Sequence, residues 1–414
     1  MDDPQWYPRR LAERLKEALA ETPVVCLLGP RQCGKSALAA RLGPGRAYVT
    51  FDDGALRQAA TADPAGFLAA LPDPVTLDEI QHVPALLPAI KMAVDRDRRP
   101  GRFLLTGSAD LLLLPTVSES LAGRMEVVRL HPLTEAEKEG QPGGFLKSLL
   151  EGSLTGRVEP GAPDPGDLVG RILRGGFPEA VRRRTEGRVR QWHRDYVEAL
   201  IQRDAREVSR LRDLDQLAAL LGLLAHQTAQ LLNVAALSKH LAVRRETAEN
   251  HLAALERLFL VRRLPAWAPN EARRLVKAPK VHLCDSGVAA TLAGVSAEDW
   301  LSNRTRLGHA LESFVVQQLA AQAGWTDPDL RLWHYRDKDQ VEVDVVLTRG
   351  RQTWGVEVKA AATVTPADGR GLRRLADQCG ADFQGGVLLH AGVSTLPMSV
   401  PRCLAVPLSA LWTS

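Results

Sequence analysis

Cysteine is scarce and scattered in this chain of 414 residues: Cys26, Cys33, Cys284, Cys379 and Cys403. They form no C-x-x-C pair and no His/Cys cluster, which argues against structural zinc and for a reducing, cytosolic setting. Long apolar runs are also lacking. No stretch approaches the roughly 20 apolar residues of a membrane span, and the leucines at 111–114 are closed off by Pro115. The first residues, MDDPQWYPRRLAERLKEAL, are amphipathic and acidic at the tip, without an apolar core of signal-peptide length. The expectation is a cytoplasmic protein with no membrane partner. Internal repeats and low-complexity tracts are missing too.

What is present is an ordinary globular composition, 45% apolar and 25% charged. The length suits two or three domains, each with its own core. The net charge of +4 is unevenly spread. Residues 1–167 hold 19 Lys/Arg against 23 Asp/Glu, and residues 168–300 hold 22 against 15. Residues 301–414 are nearly balanced, with 12 against 11. A polyanion-binding surface is therefore most plausible in the middle of the chain, although heavy arginine usage throughout can equally reflect genome composition.

The sharpest local signal is GPRQCGKS at 29–36, following the apolar run Val24-Val25-Cys26-Leu27-Leu28. A buried strand running into this glycine-rich turn predicts a loop whose backbone N–H groups cradle phosphate oxygens, ahead of a helix with its positive end on the same anion. The predicted nucleotide-binding set is Gly29, Pro30, Arg31, Gln32, Cys33, Gly34, Lys35, Ser36 and Ala37. Lys35 reaches the β- and γ-phosphates of ATP, and the Ser36 hydroxyl ligates Mg²⁺. Cys33 reads either as an oxidisable brake on the loop or simply as a small loop residue.

A second strand, Val75-Thr76-Leu77-Asp78-Glu79, ends in two acids. Asp78 suits the Mg²⁺ shell and Glu79 suits orientation of the attacking water; a solvated turn is the bland alternative. A third strand, Phe103 to Ser108, ends in hydroxyls. Thr106 and Ser108 fit a polar sensor of the γ-phosphate, or Ser108 caps the next helix. Past the following helix, in SESLAGR, Arg124 is either a finger reaching a neighbouring subunit's nucleotide or an exposed surface arginine.

These stretches carry a family likeness. LLGPRQCGKSAL, FDDGALRQAA with DPAGFL behind it, LDEIQ, LLTGSADLLL and SESLAGR running into LHPLTEAE resemble the AAA-type ATPase domain of a widespread prokaryotic ATPase family. GGFPEA, DYVEALIQRD, APKVHLCDSGVAA, GHALESFVVQQL, YRDKDQVEVDVV and GVEVKA continue the resemblance into a C-terminal domain of unknown function. The resemblance implies ATP-driven action with DNA as the suspected target.

Alternating strands and helices predict a doubly wound α/β ATPase domain over 1–140. The Gly/Pro-rich stretch 140–166 reads as a linker, and 141–212 as linker plus a helical lid. Residues 213–300 read as a winged helix-turn-helix and connector: helices near 214–226, 233–241 and 244–258, then a strand at 259–264. On DNA, Arg244, Arg245, Glu246, Asn250 and His251 would face the major groove, with Arg262 and Arg263 on phosphates. Alternatively the module packs on protein and touches no nucleic acid.

Residues 301–414 read as an α/β domain of the PD-(D/E)xK nuclease-like fold. Glu312 lies on a helix, Asp344 ends one strand, and Glu357 and Lys359 share one face of the next while Val356 and Val358 bury behind them. Asp344 and Glu357 form a candidate Mg²⁺ pair, and Lys359 a candidate for positioning water. Asp337, Lys338 and Glu342 line the same cleft or are plain hairpin charges. The composite expectation is an ATP-hydrolysing ring on DNA whose last domain binds or cuts it. The alternative is a nucleotide-dependent switch with a non-catalytic last domain.

Overall fold

The computed structural model describes residues 6–43, 45–108, 121, 123–154, 168–204, 213–270, 274 and 277–413. The chain divides into two compact units: Arg9–Pro132 with Glu256–Leu260, and Met1–Pro8 with Leu133–Leu255 and Val261–Ser414.

In the first unit, five strands, β1 (Val24–Leu28), β2 (Ala47–Thr50), β3 (Val75–Asp78), β4 (Phe103–Gly107) and β5 (Met125–Arg129), form a sheet in the order β2-β3-β4-β1-β5. All the pairings are parallel. β1, β3 and β4 are buried along their whole length, as parallel strands covered on both faces must be. Alternate residues Val24, Cys26, Leu28, Val75, Leu77 and Leu105 share a core with Leu86, Ile90 and Val94 of the helix Leu86–Arg96. The intervening Val25, Leu27 and Leu104 are equally buried on the other face. β1 lies between β4 and β5, so the loop leaving its carboxyl end opens where the strand order reverses.

Among the described residues the second unit holds two sheets. β6 (Gln230–Leu231), β7 (Val261–Leu264) and β8 (Lys280–Leu283) are antiparallel in the order β6-β8-β7. They accompany the helices Leu214–His226, Val234–His240 and Arg245–Arg257. The Asn233 side chain accepts from Ala236 N–H, so the second of these helices starts where its cap dictates. Ala242 at φ 53° makes the turn before the third.

The larger sheet contains β9 (Arg331–Arg336), β10 (Glu342–Arg349), β11 (Gln352–Lys359), β12 (Phe383–His390), β13 (Leu396–Pro397) and β14 (Cys403–Pro407). Its order is β13-β14-β12-β11-β10-β9. On one face Leu311, Phe314, Val315 and Leu319 of the helix Arg304–Thr326 pack on Val345, Leu347, Val356 and Val387. On the other, Leu372 and Leu375 of the helix Arg370–Cys379 pack on Val343, Val346 and Leu388.

The stretch expected to be a bare linker carries a helix, Phe145–Glu151, whose Phe145 and Leu146 are fully buried. Gln322 accepts from Leu146 N–H and Gln318 from Glu135 N–H, each at 2.9 Å. Two buried glutamines on one long helix thus serve helix starts that are 183 and 176 residues away in sequence. Glycine and proline marked the ends of this helix, and its apolar face supplied the docking. Of the segments expected to form a lid, Leu168–Arg174, Pro178–Val181 and Glu186–Ala199 are helical. The first and last of them pack on the helix Ser286–Leu292. Asp285 accepts from Gly176 N–H and from Val288 N–H, joining GGFPEA to CDSGVAA.

Candidate functional sites

The loop after β1 has the local geometry of an anion cradle. Gly34 sits at φ 100°, a conformation that a Cβ resists. A Cβ on Gly29 would come 2.2 Å from the Leu130 carbonyl oxygen, so only glycine lets the loop approach the end of β5. Arg9 braces the loop from below, donating to the Cys33 and His131 carbonyls at 2.6 Å each. Cys33 is buried, and burial pushes its thiol above the ordinary value. Enclosed, with its sulfur 3.6 Å from the Leu130 carbonyl, Cys33 packs as a small loop residue. Lys35 is buried and donates to the Gly29 and Pro30 carbonyls, both at 3.0 Å. Its amine is held inside the loop it would serve.

The acids at the end of β3 meet this loop. The Ser36 hydroxyl donates to Asp78 Oδ1 at 3.1 Å, and Thr106 donates to the same oxygen. Glu79 lies at φ 56° with its N–H on Thr106 Oγ1. Its Oε2 accepts from Ser108 Oγ at 3.0 Å and from Gln81 Nε2. The strand-end hydroxyls therefore divide the two acids between them, Thr106 on Asp78 and Ser108 on Glu79. Residues 109–120 lie outside the described residues, so helix capping by Ser108 has no description. Tyr48 of β2 is in hydrogen-bond contact with Asp78 and Ser36, and burial followed by Asp78 raises its phenol.

Sequence reasoning missed Arg9, Tyr48 and Gln81 as site residues. Gln81 had a signal, standing two places past Glu79 in LDEIQ; the other two had none. Arg124 Nε donates to Asp95 Oδ1 at 2.6 Å within the same unit, which holds the Asp95 carboxyl below its usual range. Residues 118–120 and 122 of SESLAGR lie outside the described residues.

In the three-helix module Arg244, Arg245, Glu246 and Asn250 are exposed. His251 is not. It is 2% exposed, on the same helical face as Ala248, Leu252 and Leu255, and burial lowers its pKa. Three residues after Ala248 and four before Leu255, it falls on the core stripe, so it cannot reach a groove. Arg263 lies 3.8 Å from Glu249, and Arg262 is half-buried. The segment after β7 is tied to β9, with Trp267 N–H on the His334 carbonyl at 2.6 Å and His334 N–H on that of Pro265 at 2.9 Å.

The second charged centre lies in the same unit. The long helix brings Glu312, β10 brings Glu342 and Asp344, and β11 brings Glu357. Asp344 Oδ2 accepts from Val358 N–H at 2.9 Å. Among these carboxylates lies an amine that sequence reasoning did not place there. Lys280 Nζ, at the head of β8, is 2.7 Å from Glu312 Oε1, 3.4 Å from Glu342 Oε2 and 3.7 Å from Asp344 Oδ1.

Lys280 and Glu312 are 3% and 6% exposed. Burial works against the Lys280 charge, but Glu312 and Asp344 outweigh it and raise its pKa. Glu357 is pushed well above the carboxylate range by burial and then by Asp344, and its Oε2 has no hydrogen-bond donor among the described residues. Lys359 instead reaches Asp368 at 3.5 Å. Asp337 caps the β9–β10 turn, accepting from Asp339 and Val341 N–H and pairing with Arg374 at 2.7 Å. Among the described residues no group of three or more His, Cys, Asp or Glu is arranged to hold a metal ion.

The parallel sheet, the glycine-rich loop and the paired acids define a P-loop ATPase of the AAA type, and residues 21–138 match the AAA domain family. Residues 166–299 and 307–411 match two domains of unknown function, DUF8612 and DUF4143. The uncharacterised protein Rv2008c of Mycobacterium tuberculosis is 32% identical over 409 residues, 98% of this chain and 85% of that one. Mb2031c of Mycobacterium bovis matches to the same extent.

The chain belongs to the family of these proteins, prokaryotic AAA-type ATPases with a C-terminal DUF4143 domain. Among solved structures, the Walker-type ATPase PABY2304 of Pyrococcus abyssi is 18% identical, with a TM-score of 0.45, over 69% of this chain and 96% of that chain. The Thermotoga maritima RuvB Holliday junction branch migration motor is 18% identical, with a TM-score of 0.26, over 62% and 89%. Likeness at these scores defines nothing further. No helix of the described residues is long and apolar enough to cross a membrane.

Proposed function

We propose that the chain binds and hydrolyses ATP and uses the cycle to act on DNA as a ring oligomer. The observation that carries hydrolysis is the division of labour at the end of β3. Asp78 shares one oxygen with the Ser36 and Thr106 hydroxyls, while Glu79 is aimed separately by Ser108 and Gln81. Ser36 Oγ and Asp78 Oδ1 are hard oxygen donors 3.1 Å apart, a set that fits Mg²⁺. Bound there, Mg²⁺ would neutralise charge on the phosphates. Lys35 exchanges the Gly29 and Pro30 carbonyls for β- and γ-phosphate oxygens, and Glu79 orients the attacking water. Arg124, released from Asp95, completes the site of a neighbouring copy.

We read the middle module as a winged helix. The strand order β6-β8-β7 and the exposed Arg244, Arg245 and Asn250 on its third helix support that reading. In this reading Arg262 and Arg263 would contact phosphates, and DNA is the partner that fits this charge.

The nuclease-like C-terminal domain is the second DNA-contacting module. Asp344 and Glu357 have the chemistry of metal ligands, but the Lys280 amine stands among the carboxylates, and the centre as built does not fit Mg²⁺. That observation favours binding over cutting. It also supports a second reading, a nucleotide-dependent regulatory switch with a non-catalytic last domain. ATPase rates measured with and without single-stranded, duplex and branched DNA separate the two. Stimulation by any DNA form supports the machine, and indifference to all three supports the switch. Mg²⁺- or Mn²⁺-dependent plasmid nicking that disappears in Asp344→Ala would instead establish cutting.

A further inference from the structure

We infer that Lys280 is the resident cation of the C-terminal carboxylate centre, and that its amine keeps divalent ions out while β8 stays in place. This rests on reading Glu312, Asp344 and Glu357 as a cation centre, and it reaches beyond that reading to what fills it.

Three observations support the inference. The first is stoichiometric. An ammonium has three donors, and Lys280 Nζ faces three carboxylates, Glu312, Glu342 and Asp344, at 2.7, 3.4 and 3.7 Å. Magnesium or calcium bound to the same oxygens lies 2.0–2.6 Å from them, so dication and ammonium would compete for one small volume, and their like charges repel.

The second is mechanical. Lys280 begins β8, with Leu231 of β6 on one side and Leu264 of β7 on the other. Its side chain is 4% exposed. It cannot swing aside as a surface lysine does; removing the amine means moving the strand.

The third concerns origin. The carboxylates belong to the long helix and the six-stranded sheet, whereas the amine belongs to the three-stranded sheet. The segment between β7 and β8 is also bonded to β9 through Pro265, Trp267 and His334. Anything that shifts the three-stranded module therefore acts on the charge of the centre. The occluded Glu357 oxygen, without a donor among the described residues, shows that one amine does not satisfy every carboxylate there. A withdrawn β8 would leave a site of high negative charge, suited to a divalent cation.

Mn²⁺ binding to the nucleotide-free full-length chain, followed by loss of the free-ion electron paramagnetic resonance signal, tests this. Wild type and Lys280→Arg should show no Mn²⁺ site that depends on Asp344. Lys280→Met should gain one site per chain, at least ten-fold tighter than any wild-type binding, and lose it again in Lys280→Met/Asp344→Asn. Because Lys280→Met leaves Glu312 buried without its partner, Lys280→Met/Glu312→Gln is made in parallel and should gain the same site.

An Asp344-dependent Mn²⁺ site already present in wild type overturns the inference. So does a folded Lys280→Met or Lys280→Met/Glu312→Gln protein that gains none. DNA stimulation of the ATPase is unaffected by either outcome, so failure here is distinguishable from failure of the proposed function.

Discussion

Ser108 donates its hydroxyl to Glu79 Oε2 at 3.0 Å, and the side-chain amide of Gln81 donates both to that oxygen and, at 2.9 Å, to Ser108 Oγ. The carboxylate proposed to direct water is thus held by donors and not left to rotate. Glu79→Gln keeps the shape but cannot polarise water, so nucleotide should bind while turnover falls by roughly 10²–10⁴-fold. Lys35→Ala should lose binding and hydrolysis together. Ser108→Ala removes one of two positioning donors and should lower kcat by about ten-fold, roughly 1.4 kcal/mol, with nucleotide affinity unchanged. Single-turnover assays and fluorescent-nucleotide titration separate the cases. Normal turnover by Glu79→Gln removes Glu79 from the mechanism.

Arg9 is 6% exposed and holds the Cys33 and His131 carbonyls. Charge-assisted bonds to buried carbonyls are worth more than neutral ones, so Arg9→Met should cost about 3 kcal/mol in stability. It should also weaken nucleotide binding, because the loop loses its brace. Chemical denaturation with and without nucleotide measures both. An unchanged midpoint would mean that the loop holds its shape without Arg9.

Arg124 is paired with Asp95 in its own unit. If it completes a neighbour's site, specific ATPase activity should rise with protein concentration. Mixing Arg124→Ala with Lys35→Ala protein should restore activity, because some interfaces then combine an intact Arg124 with an intact Lys35. Concentration-independent specific activity, no rescue on mixing and a monomer by light scattering would together remove the ring.

His334 is fully buried, with Nε2 on the Ala278 carbonyl at 3.1 Å and Nδ1 without a partner among the described residues. Burial lowers its pKa to about 4. The folded chain therefore stays unprotonated there, while the unfolded chain takes up a proton near the ordinary 6.5. Stability contributed by His334 is fully present above about pH 6.5 and is lost as pH falls towards 4, by up to about 3 kcal/mol. His334→Gln should flatten the pH dependence of the urea midpoint between pH 6.5 and 4. Curves that stay parallel would show that His334 is protonated in the folded state.

Much of the first unit was legible because its signals are local. A buried strand, a glycine-rich turn and a carboxylate at a strand end are each written within a few consecutive residues, and Lys35, Ser36, Asp78 and Glu79 could be singled out from them. What escaped depends on long-range packing. His251 carries a polar name on an apolar stripe, and only the helical period places it in the core. The helix Phe145–Glu151 was hidden by the glycines and prolines around it, since its stabilisation comes from Gln322 and an apolar bed far along the chain. Lys280 stood unremarked within APKVHLCDSGVAA. Its role comes from carboxylates 32, 62 and 64 positions later, a juxtaposition with no local trace beyond a lysine opening an apolar run.

The DNA contact should be electrostatic and centred on the third helix of the middle module. Residues 168–300 carry 22 basic against 15 acidic residues, while 1–167 are net acidic and would repel phosphate. Counterion release should make log affinity fall with log salt by about 0.9 per phosphate contact on duplex. Arg244 and Arg245 are exposed, so reversing both to Glu should weaken binding strongly. Arg263 is already near Glu249, and Arg262 is half-buried. Replacing that pair with Ala should therefore flatten the salt slope by less than the two units that two free phosphate contacts would give. Asn250→Ala should alter preference among sequences at nearly constant salt slope, because an amide reads base edges and carries no charge. His251→Leu should leave affinity unchanged, since the ring lies in the core. Fluorescence anisotropy over a salt series reads all four variants. Affinity that ignores salt, or that survives reversal of Arg244 and Arg245, would mean that the nucleic-acid surface lies on another part of the chain.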